Sequence, residues 1–169
     1  MLNYIAILGF AQTPPERNEA MAFKAGQELA SLGFGIAAGN LFGTLKQAFN
    51  GAKQNRGITL AIIEQAQIFY GHQNCDILEI VPSIKMKHAM IADLCYGALV
   101  IGGGSGTLKV VQQFLARDKP VVAIENTSGV TNNELHQTTL STKVKLYPDL
   151  NSAIHQDIKF WAQPCQDYG

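Results

Sequence analysis

The stretch Ala98-Leu-Val-Ile101, Gly102-Gly-Gly-Ser-Gly-Thr107, Leu108 decides how the rest of the chain is read. Four apolar, strand-favouring residues run into three consecutive glycines, and helical spacing follows over residues 108–117. Glycines let the main chain turn sharply and let a ligand approach it closely. The first N–H groups of the following helix have no intrahelical acceptor, and the helix dipole favours an anion at that end. Ser105 and Thr107 add hydroxyls. Gly102, Gly103, Gly104, Ser105, Gly106 and Thr107 are therefore the expected cradle for a phosphate group. No Lys-Ser/Thr pair follows at Walker A spacing, and the run is not GxGxxG in the dinucleotide register. The alternative is a strand-to-helix turn that only packs, but three successive glycines exceed what a turn requires.

Working outward from this junction, apolar runs at residues 4–8, 34–38, 58–63, 77–81, 98–101 and 121–124 read as strands, with a short last one at 144–146. Helical spacing predicts helices over 16–32, 43–53, 85–94, 108–117 and 150–161. The polar stretches 64–76 and 126–141 read as loops. Continuous apolar strands separated by helices predict a doubly wound, mainly parallel, Rossmann-like α/β sheet sandwiched by helices. No repeat, low-complexity tract or linker divides the chain, so residues 1–169 are expected to form a single domain. In such a sheet ligands sit beyond the carboxyl ends of the strands. Two further loops leave the same edge: one begins at Gly9, and the other carries Gly39, Asn40, Gly43 and Thr44. These residues complete the expected binding set.

Composition limits the partners. Hydrophobic residues are 47% of the 169 and charged residues 15%, which excludes a disordered, charge-extended chain. Thirteen basic residues balance thirteen acidic ones. The chain thus has no general pull toward nucleic acid or an anionic membrane, and neither is expected as a partner. No apolar run is long enough to span a bilayer. The amino-terminal apolar run has no preceding Lys or Arg, which argues against a signal peptide. Cys75, Cys95 and Cys165 lack CxxC spacing and leave one thiol unpaired, which predicts a reducing, cytoplasmic setting. His72, His88, His136 and His155 have no metal-site spacing. No catalytic triad can be assigned, and no metal is expected.

The segments Gly39-Asn-Leu-Phe-Gly43, the helix carrying Lys87 and Met90, and Ala98 through Thr107 together resemble the LOG-type, "lysine decarboxylase-like" proteins of the Rossmann-like nucleotide-binding superfamily. The resemblance spans residues 4–124. It implies one of two activities. LOG-type enzymes are phosphoribohydrolases that cut the N-glycosidic bond of nucleoside 5'-monophosphates. Related single-domain members are molybdenum cofactor carriers, which hold a phosphorylated pterin without turning it over. It also implies a homo-oligomer, a dimer or tetramer.

The departures from the family pattern favour the carrier. The enzymes' motif is PGGxGTxxE with an Arg-Lys pair on the preceding helix. Here Gly102 stands for the proline and Val110 for the glutamate. Anchoring on Met90 puts Met86 and Lys87 at the Arg-Lys pair, while anchoring on the glycines puts Lys87 and His88 there. Neither register supplies an arginine. Glycosidic cleavage needs a carboxylate to stabilise an oxocarbenium-like transition state or activate water, and valine does neither. The expected function is therefore a carrier or sensor of a phosphorylated small molecule, a nucleotide or a molybdopterin-type cofactor, with no catalytic residue assigned. The rival is a phosphoribohydrolase using Glu79 as substitute base; a third possibility is an interaction module with a vestigial pocket.

Four other sets of residues carry weaker signals. Lys85, Lys87 and His88 cluster at a helix start, against the dipole, which hints at a nearby anion or simply a solvated face. Glu79 reads as a paired strand residue or a base. Asp93 is expected to solubilise its helix, and Glu125, following a strand at the carboxyl edge, either touches a ligand ring or does not.

Overall fold

A computed structural model describes residues 2–12, 14–67, 74–136 and 142–161. Its strands are β1 (Tyr4–Gly9), β2 (Gly35–Ala38), β3 (Thr59–Glu64), β4 (Ile77–Val81), β5 (Cys95–Ile101), β6 (Val121–Ile124) and β7 (Val144–Tyr147). They form one sheet, ordered β4-β3-β2-β1-β5-β6-β7, and every pairing is parallel. The helices are α1 (Glu16–Ser31), α2 (Gly43–Gln54), α3 (Ile84–Leu94), α4 (Ser105–Ala116) and α5 (Leu150–Gln156). This is the expected doubly wound α/β sandwich, with the seventh strand fully formed.

Alternation along the central strand builds two cores. Ile5 and Ile7 of β1 join the helices α1, α2 and α5 on one face. Ala6 and Leu8 join α3 and α4 on the other. α1 and α2 pack backbone to backbone. A Cβ at Gly26 would collide with the Ala48 carbonyl, and one at Gly51 with the Phe23 carbonyl.

Several boundaries differ from the periodicity: β5 starts at Cys95 and not Ala98, and the stretch read as a loop over 126–141 holds 3-10 turns at Gly129–Thr131 and Glu134–His136. α4 starts at Ser105 rather than 108: Gly104 takes the extended N-cap conformation, and Ser105, Gly106 and Thr107 form the first turn although their composition reads as loop. The expected closing helix 150–161 breaks at Asp157, and a 3-10 turn, Ile158–Trp161, follows. The break is held by side-chain chemistry: the buried Asp157 carboxylate accepts from Tyr147 Oη and Trp161 Nε1, each at 2.9 Å, and pairs with Lys145 at 3.2 Å. Burial, then the bond to Asp157, pushes the Tyr147 hydroxyl up to about 12. The loop read over 64–76 contains a 3-10 turn at Gln65–Gln67, and His72 and Cys165 lie outside the described residues.

The strand order reverses between β1 and β5. β1 leads outward through β2, β3 and β4, whereas β5 leads the opposite way through β6 and β7. The chain segments leaving β1 and β5 therefore diverge at their carboxyl ends and leave a crevice there.

Candidate functional site

A cavity of about 380 Å³ opens at this reversal. It is lined by Gly9 through Gln12 after β1, Gly39 and Asn40 after β2, Gly104 through Thr107 at the start of α4, and Ile84, Lys87, His88 and Ile91 of α3. Leu8, Leu45 and Val110 supply apolar wall. The volume lies in the ordinary range for a small-molecule site.

The glycine run divides into two halves with different tasks. Gly102 and Gly103 are buried and do not line the cavity. Both have positive φ, +70° and +107°, which glycine alone adopts without strain. The Gly102 amide donates to Thr127 Oγ1 at 2.9 Å, and the Gly103 carbonyl accepts from the Val130 amide at 2.9 Å. Asn18 Nδ2 of α1 donates to the Thr127 carbonyl at 2.7 Å. These two glycines, expected as part of the cradle, instead brace it. Gly104, Ser105 and Gly106 are exposed at the cavity, with Thr107 buried behind them. No described protein group accepts from the Ser105, Gly106 or Thr107 amides, as the first turn of a helix dictates.

The loop after β2 is corrected in the same way. Gly39 and Asn40 line the cavity, whereas Gly43 and Thr44 do not. The Thr44 amide is already spent on the Phe10 carbonyl at 3.1 Å, and a Cβ at Gly43 would press on the Phe10 and Ala11 carbonyls. The start of α2 thus holds the β1 loop in place and offers no anion socket of its own. Gly9 needs to be glycine because a Cβ would meet the Ile101 carbonyl and the Thr44 side chain, both at 2.9 Å. Asn40 Oδ1 accepts from the Phe42 amide at 3.0 Å, which orients its side chain at the rim.

Lys87 and His88 were readable as a basic cluster but not as buried. They are 6% and 8% exposed. Lys87 Nζ pairs with Glu64 Oε1 at 2.8 Å, a partner at the end of β3 that nothing in the sequence pattern marked. Burial first, then the Lys87 and Lys109 charges, hold the His88 imidazole below its usual pKa, against an opposing pull from Glu64. Among the described residues, none that lines the cavity carries a carboxylate. Glu79, the substitute base of the hydrolase alternative, is exposed on the edge strand β4 and away from the cavity. Val110, in place of the family glutamate, is buried against the cavity wall. Asp93 pairs with Arg117 at 2.6 Å, and Glu125 does not line the cavity.

A second hollow of about 400 Å³ lies around Tyr4, Tyr96 and Lys119, at the opposite, amino-terminal edge of the sheet. Its one ammonium, Lys119 Nζ, is consumed by the carbonyls of Ala92, Asp93 and Cys95. Among the described residues no group of three or more His, Cys, Asp or Glu side chains could hold a metal ion. No described helix is long and apolar enough to cross a membrane.

With this geometry in hand, the family profile can be set against it: the SLOG cluster4 family matches residues 2–152. The chain belongs to the SLOG cluster4 family. The wider SLOG superfamily includes the LOG-like proteins, so the resemblance read from the glycine run holds. No curated protein matches the sequence. Solved structures similar to this SLOG fold include a molybdenum cofactor binding protein from Rippkaea orientalis, 20% identical over 95% of this chain and 98% of that one, with a TM-score of 0.83. The molybdenum cofactor carrier protein of Chlamydomonas reinhardtii is 21% identical, covers 96% and 100%, and has a TM-score of 0.82. The DNA processing protein A of Streptococcus pneumoniae is 19% identical over 90% of this chain and 61% of that one, at 0.72. At these identities the likeness establishes the shared fold.

Proposed function

We propose that this protein binds a small molecule ending in a phosphate group and holds it without turning it over, as a carrier or sensor. The observation that carries this reading is the unspent row of amides at Ser105, Gly106 and Thr107, facing a cavity that holds Lys87 and His88 and no carboxylate. The phosphate docks on those amides, where the dipole of α4 adds to their attraction. The rest of the ligand lies against Leu8, Leu45, Ile91 and Val110, with the side-chain amides of Gln12 and Asn40 at hand for a heterocycle edge. A nucleotide or a molybdopterin-type phosphorylated pterin suits this division, and the carriers among the similar folds favour the pterin. Absence of a carboxylate from the cavity lining opposes glycosidic hydrolysis.

The experiment is a thermal-shift series with inorganic phosphate, AMP and a phosphorylated pterin, run beside an assay for free base. A ligand at a hundred times its Kd adds about 2.7 kcal/mol of stability, which for a chain of this size raises Tm by roughly 5–10 °C. That rise with no base released supports the carrier. Release of adenine at an enzyme-like rate overturns it in favour of the hydrolase, and no shift with any of the three leaves a vestigial pocket.

A further inference from the structure

His88 is a polar side chain of the cavity wall that no described residue engages by a hydrogen bond. Its residue surface is 8% exposed, that remnant opens on the cavity it lines, and its ring makes no hydrogen bond to a described residue. An imidazole that packs into a cavity wall and is engaged by no neighbouring side chain is free to bond a group inside the cavity. The charged groups facing it are few. Lys87 is next to it on α3, Lys109 comes from α4, and Glu64 comes from the end of β3. The segments after β1 and β2 contribute only Gly9, Phe10, Ala11, Gln12, Gly39 and Asn40, all uncharged. Glu64 is already committed to Lys87, so that pair is close to neutral as a unit.

Resting on the phosphate-binding reading above, we infer that His88 makes the cavity select a terminal phosphate over a bridging one, by taking up a proton as a doubly charged oxyanion docks at the start of α4. Without an anion beside it, burial and then the Lys87 and Lys109 charges, against Glu64, hold the imidazole below its usual pKa and favour its neutral form. A phosphomonoester brings two negative charges. The α4 amides answer one, and the second is answered by an imidazolium N–H donating to a phosphate oxygen. The proton comes from solvent and returns there on release. A phosphodiester carries one charge, half the pull on the imidazole, and leaves His88 neutral. The same residue thereby turns away the linkages of a nucleic-acid backbone while admitting a mononucleotide or a pterin monophosphate.

The test uses inorganic sulfate as the dianion, because its own charge does not change between pH 5.5 and 8.5, and methyl sulfate as the monoanion. Calorimetry in buffers of different ionisation enthalpy counts the protons taken up. NMR of the imidazole C–H signals, assigned through His88→Gln, follows the titration of His88 itself. The sign is fixed by linkage: above the free pKa and below the bound pKa, sulfate affinity falls by about tenfold per pH unit as pH rises. The expected result is net proton uptake with sulfate, much less with methyl sulfate, and a pH-independent sulfate affinity in His88→Gln. Should that variant fail to fold, the wild-type NMR titration decides alone, through an upward shift of the His88 midpoint on adding sulfate. Sulfate that binds without proton uptake and without moving that midpoint overturns the role of His88 and leaves the anion site standing. Sulfate that does not bind overturns both.

Discussion

Replacing Gly104 by Asp separates the fold from the site. Gly104 is the N-cap of α4, with φ −111° and ψ −157°, extended backbone open to any residue. A Cβ built there meets nothing within 4 Å. Aspartate is among the best N-cap residues and its exchange with glycine is worth only a few tenths of a kcal/mol, in favour of Asp. Stability is therefore unchanged or slightly raised, with Tm moving up by about 1 °C. Binding responds oppositely. The new carboxylate accepts from the Gly106 or Thr107 amide, the donors assigned to the phosphate, and sets a negative charge beside the incoming dianion. One charge against two at about 4 Å is repelled by roughly 2 kcal/mol even at the dielectric of water, which is an affinity loss of about 30-fold before any donor is counted. Urea denaturation and calorimetric titration with AMP read the two effects apart. Wild-type-like AMP affinity in a folded Gly104→Asp protein would refute the placement of the anion at α4.

Other substitutions probe the supports around that site. Gly103→Ala forces a left-handed residue with a side chain against Thr107, and is expected to cost about 2–4 kcal/mol in urea denaturation, where an ordinary exposed loop position would cost almost nothing. Gly26→Ala and Gly51→Ala lie within helices, where alanine is normally favoured by about 1 kcal/mol; here the methyl meets the backbone of the facing helix, so each is expected to lower stability by about 1–3 kcal/mol instead. For Asp76, burial pushes the carboxyl up, but hydrogen bonds from Lys53 and Thr59 outweigh it and hold the pKa below its usual value. Its contribution is present above the unfolded-chain pKa of about 4 and disappears as pH falls through the lower folded value, so the gap in urea midpoint between wild type and Asp76→Asn is expected to be widest at pH 7 and to close toward pH 3.

What the sequence displayed and what it hid follow from different physics. Strand β6 was legible at its observed bounds because a buried parallel strand is an unbroken apolar run; the edge strand β4, mostly exposed and interrupted by Glu79, was legible from its β-branched residues and the stop at Pro82. The glycine run was legible as a junction, yet its six residues read as one motif. Only backbone direction tells the bracing Gly102 and Gly103 from the presenting Gly104 and Gly106, and composition carries no φ. Lys87 and His88 read equally as a sign of a nearby anion or as a solvated face, because a charged residue is exposed by default and the partner that lets Lys87 be buried, Glu64, is distant in sequence and next to it in space. Glu79 stayed open between a strand residue and a base because only the strand order, which puts β4 at the sheet edge, shows that it is exposed and apart from the cavity. Gly26 and Gly51 gave no sign at all, since a lone helical glycine signals contact only when the facing helix is known.

The buried half of the glycine run explains why an unspent row of amides can serve as a binding surface. A flexible glycine loop would have to be ordered by its ligand, and that entropy would be subtracted from the affinity. Here the loop is fixed beforehand from two directions. The Gly102 amide is tied to Thr127 and the Gly103 carbonyl to Val130, both in the turn after β6, and Asn18 of α1 closes on the Thr127 carbonyl. Two segments distant in sequence, the turn after β6 and α1, thus meet behind the loop, and each bond uses a polar group that the bend would otherwise leave buried and unpaired. The residues behind the loop set the direction of the amides that the proposal gives to the phosphate. On this reasoning a change at Thr127 or Asn18 weakens anion binding without entering the cavity, because it releases the loop and leaves every lining side chain in place.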